Sequence, residues 1–185
     1  DKEGLAFWQV VEQFEGESIN DYLKKVWKTM CNAVERGIEN EGTLPGVLKL
    51  QRKAPNYYVK AKGYSDSLQR RGMVYAYALA VAEENAAGGL IATAPTCGAC
   101  AVVPAVLYQL RQYHHFSEAR ILRALATAGL IGSLVKTNAS ISGAEVGCQG
   151  EIGTACSMAA AAATQLLGGT NTQIEYAAEM GMEHH

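Results

Sequence analysis

Thr154-Ala-Cys-Ser-Met-Ala-Ala-Ala-Ala-Ala-Thr-Gln-Leu-Leu167 is the stretch whose reading decides the fold. Alanine is the strongest helix former, and the run ends at Gly168-Gly169, the residue type that stops helices. Its side chains are small on every face. A helix here gains stability only if other helices come close to it. The flanking segments offer such neighbours. Residues 117–135 read as a helix with Ser117 as N-cap, and Gly129 and Gly132 predict that it presses against another backbone. Residues 172–182 read as a last helix, capped by Asn171 or Thr172, with Glu175 in its first turn.

Further out the helical period persists. Trp8, Val11, Phe14, Tyr22, Val26 and Trp27 recur at helical spacing across residues 7–36, and a second helix starting near Ser18 to Asp21 runs to Gly37. Leu68, Met73, Tyr77, Leu79 and Ala80 mark a helix over residues 67–87, stopped by Gly88-Gly89. Pro104 suits the first turn of a helix over residues 105–113. Residues 42–45 are a connector, and residues 57–63 are open between strand and loop. Residues 93–100, punctuated by Pro95 and Gly98, form a loop. Residues 139–153 are Gly/Ser-rich and aperiodic. Runs of β-branched alternation are few, and there is no internal repeat or linker. The expected architecture is all-α: one compact helical domain over residues 1–185, with Gly/Ser-rich loops as the place for an active site.

Charge and composition narrow the function. A net charge of −2 gives no electrostatic reason for nucleic acid or an anionic membrane as partner. The densest basic stretch, residues 49–62, is broken by Pro55 and the pair Tyr57-Tyr58. No apolar run is long enough to span a bilayer. Asp1 is not an initiator methionine and no signal peptide follows it, so a piece of a longer cytoplasmic chain is expected. His184-His185 at the other end reads equally as a native motif cut short or as the start of a tag. An odd count of five cysteines argues against a disulfide framework and for reduced thiols.

Two polar, Gly-rich stretches sit between apolar helices: Thr93-Ala-Pro-Thr96-Cys97-Gly-Ala-Cys100, and Thr137-Asn138-Ala-Ser140-Ile-Ser142-Gly-Ala-Glu145-Val-Gly-Cys148-Gln-Gly-Glu151. Backbone N–H groups and short hydroxyls gathered in this way suit carboxylates and other anions, and a thiolate among them suits a soft metal. The bland alternative is a pair of helix-capping loops with a spare buried cysteine. A redox reading of Cys97-Gly-Ala-Cys100 lacks the strand it requires. A zinc site built from Cys97, Cys100, Cys148 and Cys156 has too wide a gap between its last two members. His114-His115 ends a helix, where histidine complements the dipole. Lys136 is the only lysine close to the second stretch, and no phosphate cradle accompanies it, which argues against pyridoxal-phosphate chemistry.

The run from Ala139 through Cys148 to Glu151, continued by residues 153–161, resembles the signature of the bacterial iron–sulfur L-serine dehydratases. Thr93-Ala-Pro-Thr96 with Gly98 and Pro104-Ala105 resembles a second signature of that family, and Ala177-Ala-Glu-Met-Gly-Met-Glu-His184 a third. Gly63-Tyr-Ser and Ala82-Glu-Glu-Asn85 extend the likeness over most of the chain. The resemblance implies a helical catalytic domain carrying a 4Fe–4S cluster on three cysteines, with the fourth iron open to substrate. It places Cys148 as one ligand and the other two in a segment beyond His185, so that this chain alone is apo and inactive. It further implies L-serine as substrate, a beta domain or subunit elsewhere, and substrate-holding roles for Thr96, Asn138, Ser140 and Ser142. Homodimerisation or self-association through uncovered apolar surface is a further expectation. Ala101 departs from the family's usual glycine. Cys97 and Cys100 fall where the family varies, so neither they nor Cys156 is taken as a ligand. Glu145 and Glu151 are taken as structural, and no residue is assigned as general base. The alternatives are a related cluster-dependent lyase such as a cysteine desulfidase, and a non-catalytic helical assembly module.

Overall fold

The computed structural model describes residues 4–184. The alanine-rich run forms helix α8 (Thr154–Leu166) at the middle of the packing. Ala155, Ala161 and Ala162 are completely buried, and α8 lies against α9 (Asn171–Glu183), α6 (Glu118–Asn138) and α5 (Val102–His114). The approach of α9 is so close that a Cβ at Gly181 would stand 2.9 Å from the Cys156 carbonyl oxygen. Small residues allow this spacing, and the spacing supplies the burial that alanine alone cannot.

The N-terminal half supplies the larger side chains. Helix α1 (Phe7–Glu15) ends at Gly16, whose φ of 75° turns the chain into α2 (Ile19–Glu39). Helix α3 (Ala54–Lys62) packs on α4 (Asp66–Ala86), and α4 also meets α2 and α5. Trp27, Met30 and Val34 of α2, Val81 of α4, Leu107 of α5 and Ile121 of α6 are almost inaccessible and belong to one core cluster. Each such side chain contributes on the order of 1.5–3 kcal/mol of hydrophobic free energy. Among the described residues there is no strand, only an isolated bridge between Thr43 and Gln51. No helix among them is long and apolar enough to cross a membrane.

Four local expectations need correction. Residues 57–62 belong to α3 and Gly63 caps its end, because Pro55 sits in its first turn and Tyr58 packs on Tyr77 at 6.2 Å between ring centroids. Residues 139–153 are not aperiodic loop throughout: they hold the short helix α7 (Gly143–Cys148) and a π-helical turn (Gln149–Gly153). Their glycines hide this from propensity, while Gly150 against Ser140 and Val146, and Gly153 against Met182, show the packing that imposes it. Gly132 does pack tightly, but against the Met158 thioether, and Gly129 faces a groove beside Tyr22 and Leu125 with nothing within 4 Å. Helix α9 is capped by Thr170, whose side chain accepts from the Gln173 N–H in a capping box, so Glu175 lies beyond the first turn.

Candidate active site

The carboxyl end of α4 positions the first Gly-rich loop. Glu84 is buried there and accepts from Arg36 Nε at 2.9 Å, Arg52 Nη1 at 3.0 Å and Asn40 Nδ2 at 3.0 Å. Its neighbour Glu83 accepts from the Lys53 N–H at 2.6 Å and holds the start of α3. Arg36 also donates to the Leu90 carbonyl at 2.7 Å, where the loop begins, and Asn85 Nδ2 donates to the Cys97 carbonyl at 3.0 Å, where it nears its end. Ala94–Pro95 within it is a cis peptide bond. Burial works to raise the Glu84 pKa, but the hydrogen bonds from Arg36, Asn40 and Arg52 prevail and hold it below the ordinary value.

The second Gly-rich segment follows α6. Asn138, its last helical residue, turns its Nδ2 back to the Leu134 carbonyl at 2.8 Å. The Ser140 hydroxyl donates to Glu145 and accepts from the Ser142 N–H at 3.1 Å. Among the described residues the Ser142 hydroxyl has no partner. Gly147, with φ at 75°, breaks the direction of α7 and leaves the next residue, Cys148, exposed at the entry to the π-helical turn. Asn138 and Ser140 border a mostly apolar cavity of about 550 Å³, together with Leu134, Val146, Gly150 and Met182.

Glu151, in the π-helical turn, joins the two segments. Its carboxylate accepts a hydrogen bond from the Thr96 hydroxyl. A Cβ at Gly98 would stand 2.3 Å from one of its oxygens, and a Cβ at Gly143 2.8 Å from the other, so both loops lie directly on it. The structure brings the Thr96 hydroxyl onto the Glu151 carboxylate, while the Ser140 hydroxyl is bonded to Glu145 and Ser142 precedes Gly143, whose backbone lies beside Glu151. Asn138 stands apart on its own helix. Glu151 was read from the sequence as structural, and its place at the junction was missed. A signal existed: no Lys or Arg lies three or four residues from it in either direction.

Whether these residues fit an iron–sulfur cluster is a question of donors. Cys148 is exposed and fits as one. Among the described residues no group of three or more His, Cys, Asp or Glu is placed to hold a metal ion. Burial pushes the Cys31 and Cys100 thiols up to about 11, Arg111 partly opposing it at Cys31, and it raises Cys156 as well. Burial thus works against ionisation of those three thiols. Among the described residues Cys97 and Cys148 are the exposed thiols, and they do not make a complete ligand set.

The profile of the serine dehydratase alpha chain family matches residues 3–185. The chain is 49% identical over 174 residues to an L-serine dehydratase of Haemophilus influenzae, covering 91% of this chain and 38% of that protein. It is 50% identical over 172 residues to one from Streptomyces coelicolor, covering 91% and 38%. With L-serine dehydratase 1 of Escherichia coli it shares 48% identity over 191 residues, covering 98% of this chain and 41% of the relative. The chain spans about two fifths of the length of these relatives. On this match, the chain belongs to the serine dehydratase alpha chain family.

Proposed function

We propose that this chain is the cluster-bearing part of a cytoplasmic L-serine dehydratase, which converts L-serine to pyruvate and ammonia by α,β-elimination of water. The observation that carries the reading is the identity to L-serine dehydratases over nine tenths of the chain, joined to the convergence of both Gly-rich loops beside the exposed Cys148. Cys148 serves as one of three thiolate ligands. The other two, and a beta domain or subunit, come from the part of the enzyme that the relatives' greater length represents.

A bound 4Fe–4S cluster with one open iron supplies Lewis acidity at the substrate hydroxyl, a poor leaving group. This chain's residues hold the rest of the substrate. The Ser142 hydroxyl, free among the described residues, donates to the substrate carboxylate. Ser140 has committed its proton to Glu145 and fixes the turn that presents Ser142. Asn138, on the edge of the apolar cavity, adds an acceptor through its amide oxygen. Thr96 lines the opposite loop.

The test is anaerobic iron–sulfide reconstitution of the full-length enzyme, with iron counted and pyruvate assayed from L-serine and from L-cysteine. Pyruvate from L-serine, with Cys148→Ser unable to retain cluster iron, is the expected result. Retained iron and activity in that variant sink the ligand assignment. Preference for L-cysteine favours a desulfidase, and the absence of any cluster favours an assembly module. Size-exclusion profiles of this chain are expected to show self-association, which a strictly monomeric profile contradicts.

A further inference from the structure

Resting on the dehydratase reading, we propose that Thr96 and Glu151 form the subsite for the substrate's α-ammonium group. A threonine hydroxyl carries a single proton, and that of Thr96 is donated to Glu151. What Thr96 then presents outward is lone pairs only. Glu151 likewise has only acceptor oxygens. Both residues are half-buried. The Thr96–Glu151 pair itself therefore offers acceptors and no free proton. Its natural occupant is a cation with several N–H bonds, and a carboxylate is repelled from it.

The missing counter-charge points the same way. The ion pairs among the described residues are Lys24–Asp21, Arg36–Glu84 and Arg52–Glu84, and Glu151 is in none of them. Glu151 is nevertheless fixed in place. Its two oxygens lie 2.3 Å and 2.8 Å from where a Cβ at Gly98 and at Gly143 would stand, so the carboxylate fills the space that these two glycines leave. A pinned, unneutralised carboxylate is preorganised for a cationic ligand. With the ammonium placed here and the carboxylate at Ser142, L-serine is oriented by acceptors at one end and a hydroxyl donor at the other. The subsite then decides between an amino acid and a hydroxy acid of the same shape, because a site built to bind N–H donors strongly rejects an analogue lacking them.

The experiment uses the full-length, cluster-loaded enzyme and two probes: L-serine, and glycerate, which keeps the hydroxyl and the carboxylate but has no ammonium. Calorimetric affinity and the KM–kcat split are measured for wild type, Glu151→Gln, Glu151→Asp and Thr96→Ser, with cluster absorbance as the check on folding. Glu151→Gln is expected to weaken L-serine by about 10- to 100-fold, the size of a lost charge-assisted hydrogen bond. Inhibition by glycerate should stay equal or tighten, and cluster absorbance should not change. Thr96→Ser, which keeps the hydroxyl, should lose less L-serine affinity than Glu151→Gln, and Glu151→Asp should recover part of the loss. Unchanged L-serine binding in Glu151→Gln overturns the subsite, as does an equal loss for serine and glycerate. If the wild type itself neither binds L-serine nor forms pyruvate, the dehydratase reading falls and the subsite falls with it.

Discussion

Glu84 and Glu151 are both carboxylates set against the Thr96 loop, and they are satisfied in opposite ways. Glu84 is buried, with two guanidinium groups and an amide on its oxygens, and the network ties α2, α4 and the start of the loop together. Glu151 is half-buried, with a hydroxyl and two glycine backbones around it and no cation in reach among the described residues. One is an electrostatic knot closed within the chain. The other leaves charge and lone pairs open. A residue that holds a fold together has its charge answered by the fold, whereas a residue that receives a ligand keeps it unanswered until the ligand arrives.

Removing each carboxylate should separate the two roles. Glu84→Ala strands Arg52, whose side chain is only 9% exposed, without its counter-ion. The expected loss is about 3–5 kcal/mol of folding stability, read by urea denaturation. A loss below about 1 kcal/mol would show that the knot is not what anchors the loop. Acid provides a second probe. Because the folded pKa of Glu84 lies below its ordinary value, its contribution is complete above the ordinary carboxylate range. It is lost as pH falls through the lowered folded value. The acid limb of wild-type stability should therefore be steeper than that of Glu84→Gln, in a pH series of thermal melts. The smallest effect is expected at Glu151. Glu151→Ala gives up one hydrogen bond at a half-buried position and should cost about 1 kcal/mol or less, measured by the same denaturation. A cost equal to that of Glu84→Ala would erase the contrast and make Glu151 a structural residue.

The thiols repeat the contrast on a smaller scale. Cys100 is buried and held protonated, and Cys148 is exposed where Gly147 breaks α7. Both lie in stretches singled out by composition alone. The missing strand argues against a redox role for Cys97-Gly-Ala-Cys100, and the resemblance to a known signature singles out Cys148. Burial itself is not legible in a four-residue motif.

The helices were legible where period and punctuation agreed. Ser117 before α6, Gly88-Gly89 after α4 and Gly168-Gly169 after α8 act through local backbone geometry, which the sequence states directly. Residues 57–63 and 139–153 were not legible, because packing of Tyr58 on Tyr77 and of Gly150 on Val146 overrides weak local preference there. The amide Nδ2 of Asn138 donates to the Leu134 carbonyl at the end of α6, a contact that its place in the sequence does not state.

By itself the sequence determined the all-helical class, the two Gly-rich segments and, through resemblance, the family. These follow from propensity, periodicity and residue identity, which are properties of neighbours along the chain. Only the tertiary structure decided that the two segments meet on Glu151, that Thr96 gives its proton to it, and that Glu84 is answered by two arginines while Glu151 is not. The partners lie 55 residues apart for Thr96–Glu151 and 48 for Arg36–Glu84. Electrostatic satisfaction depends on distance in space, and a chain's order carries no record of it until the chain is folded.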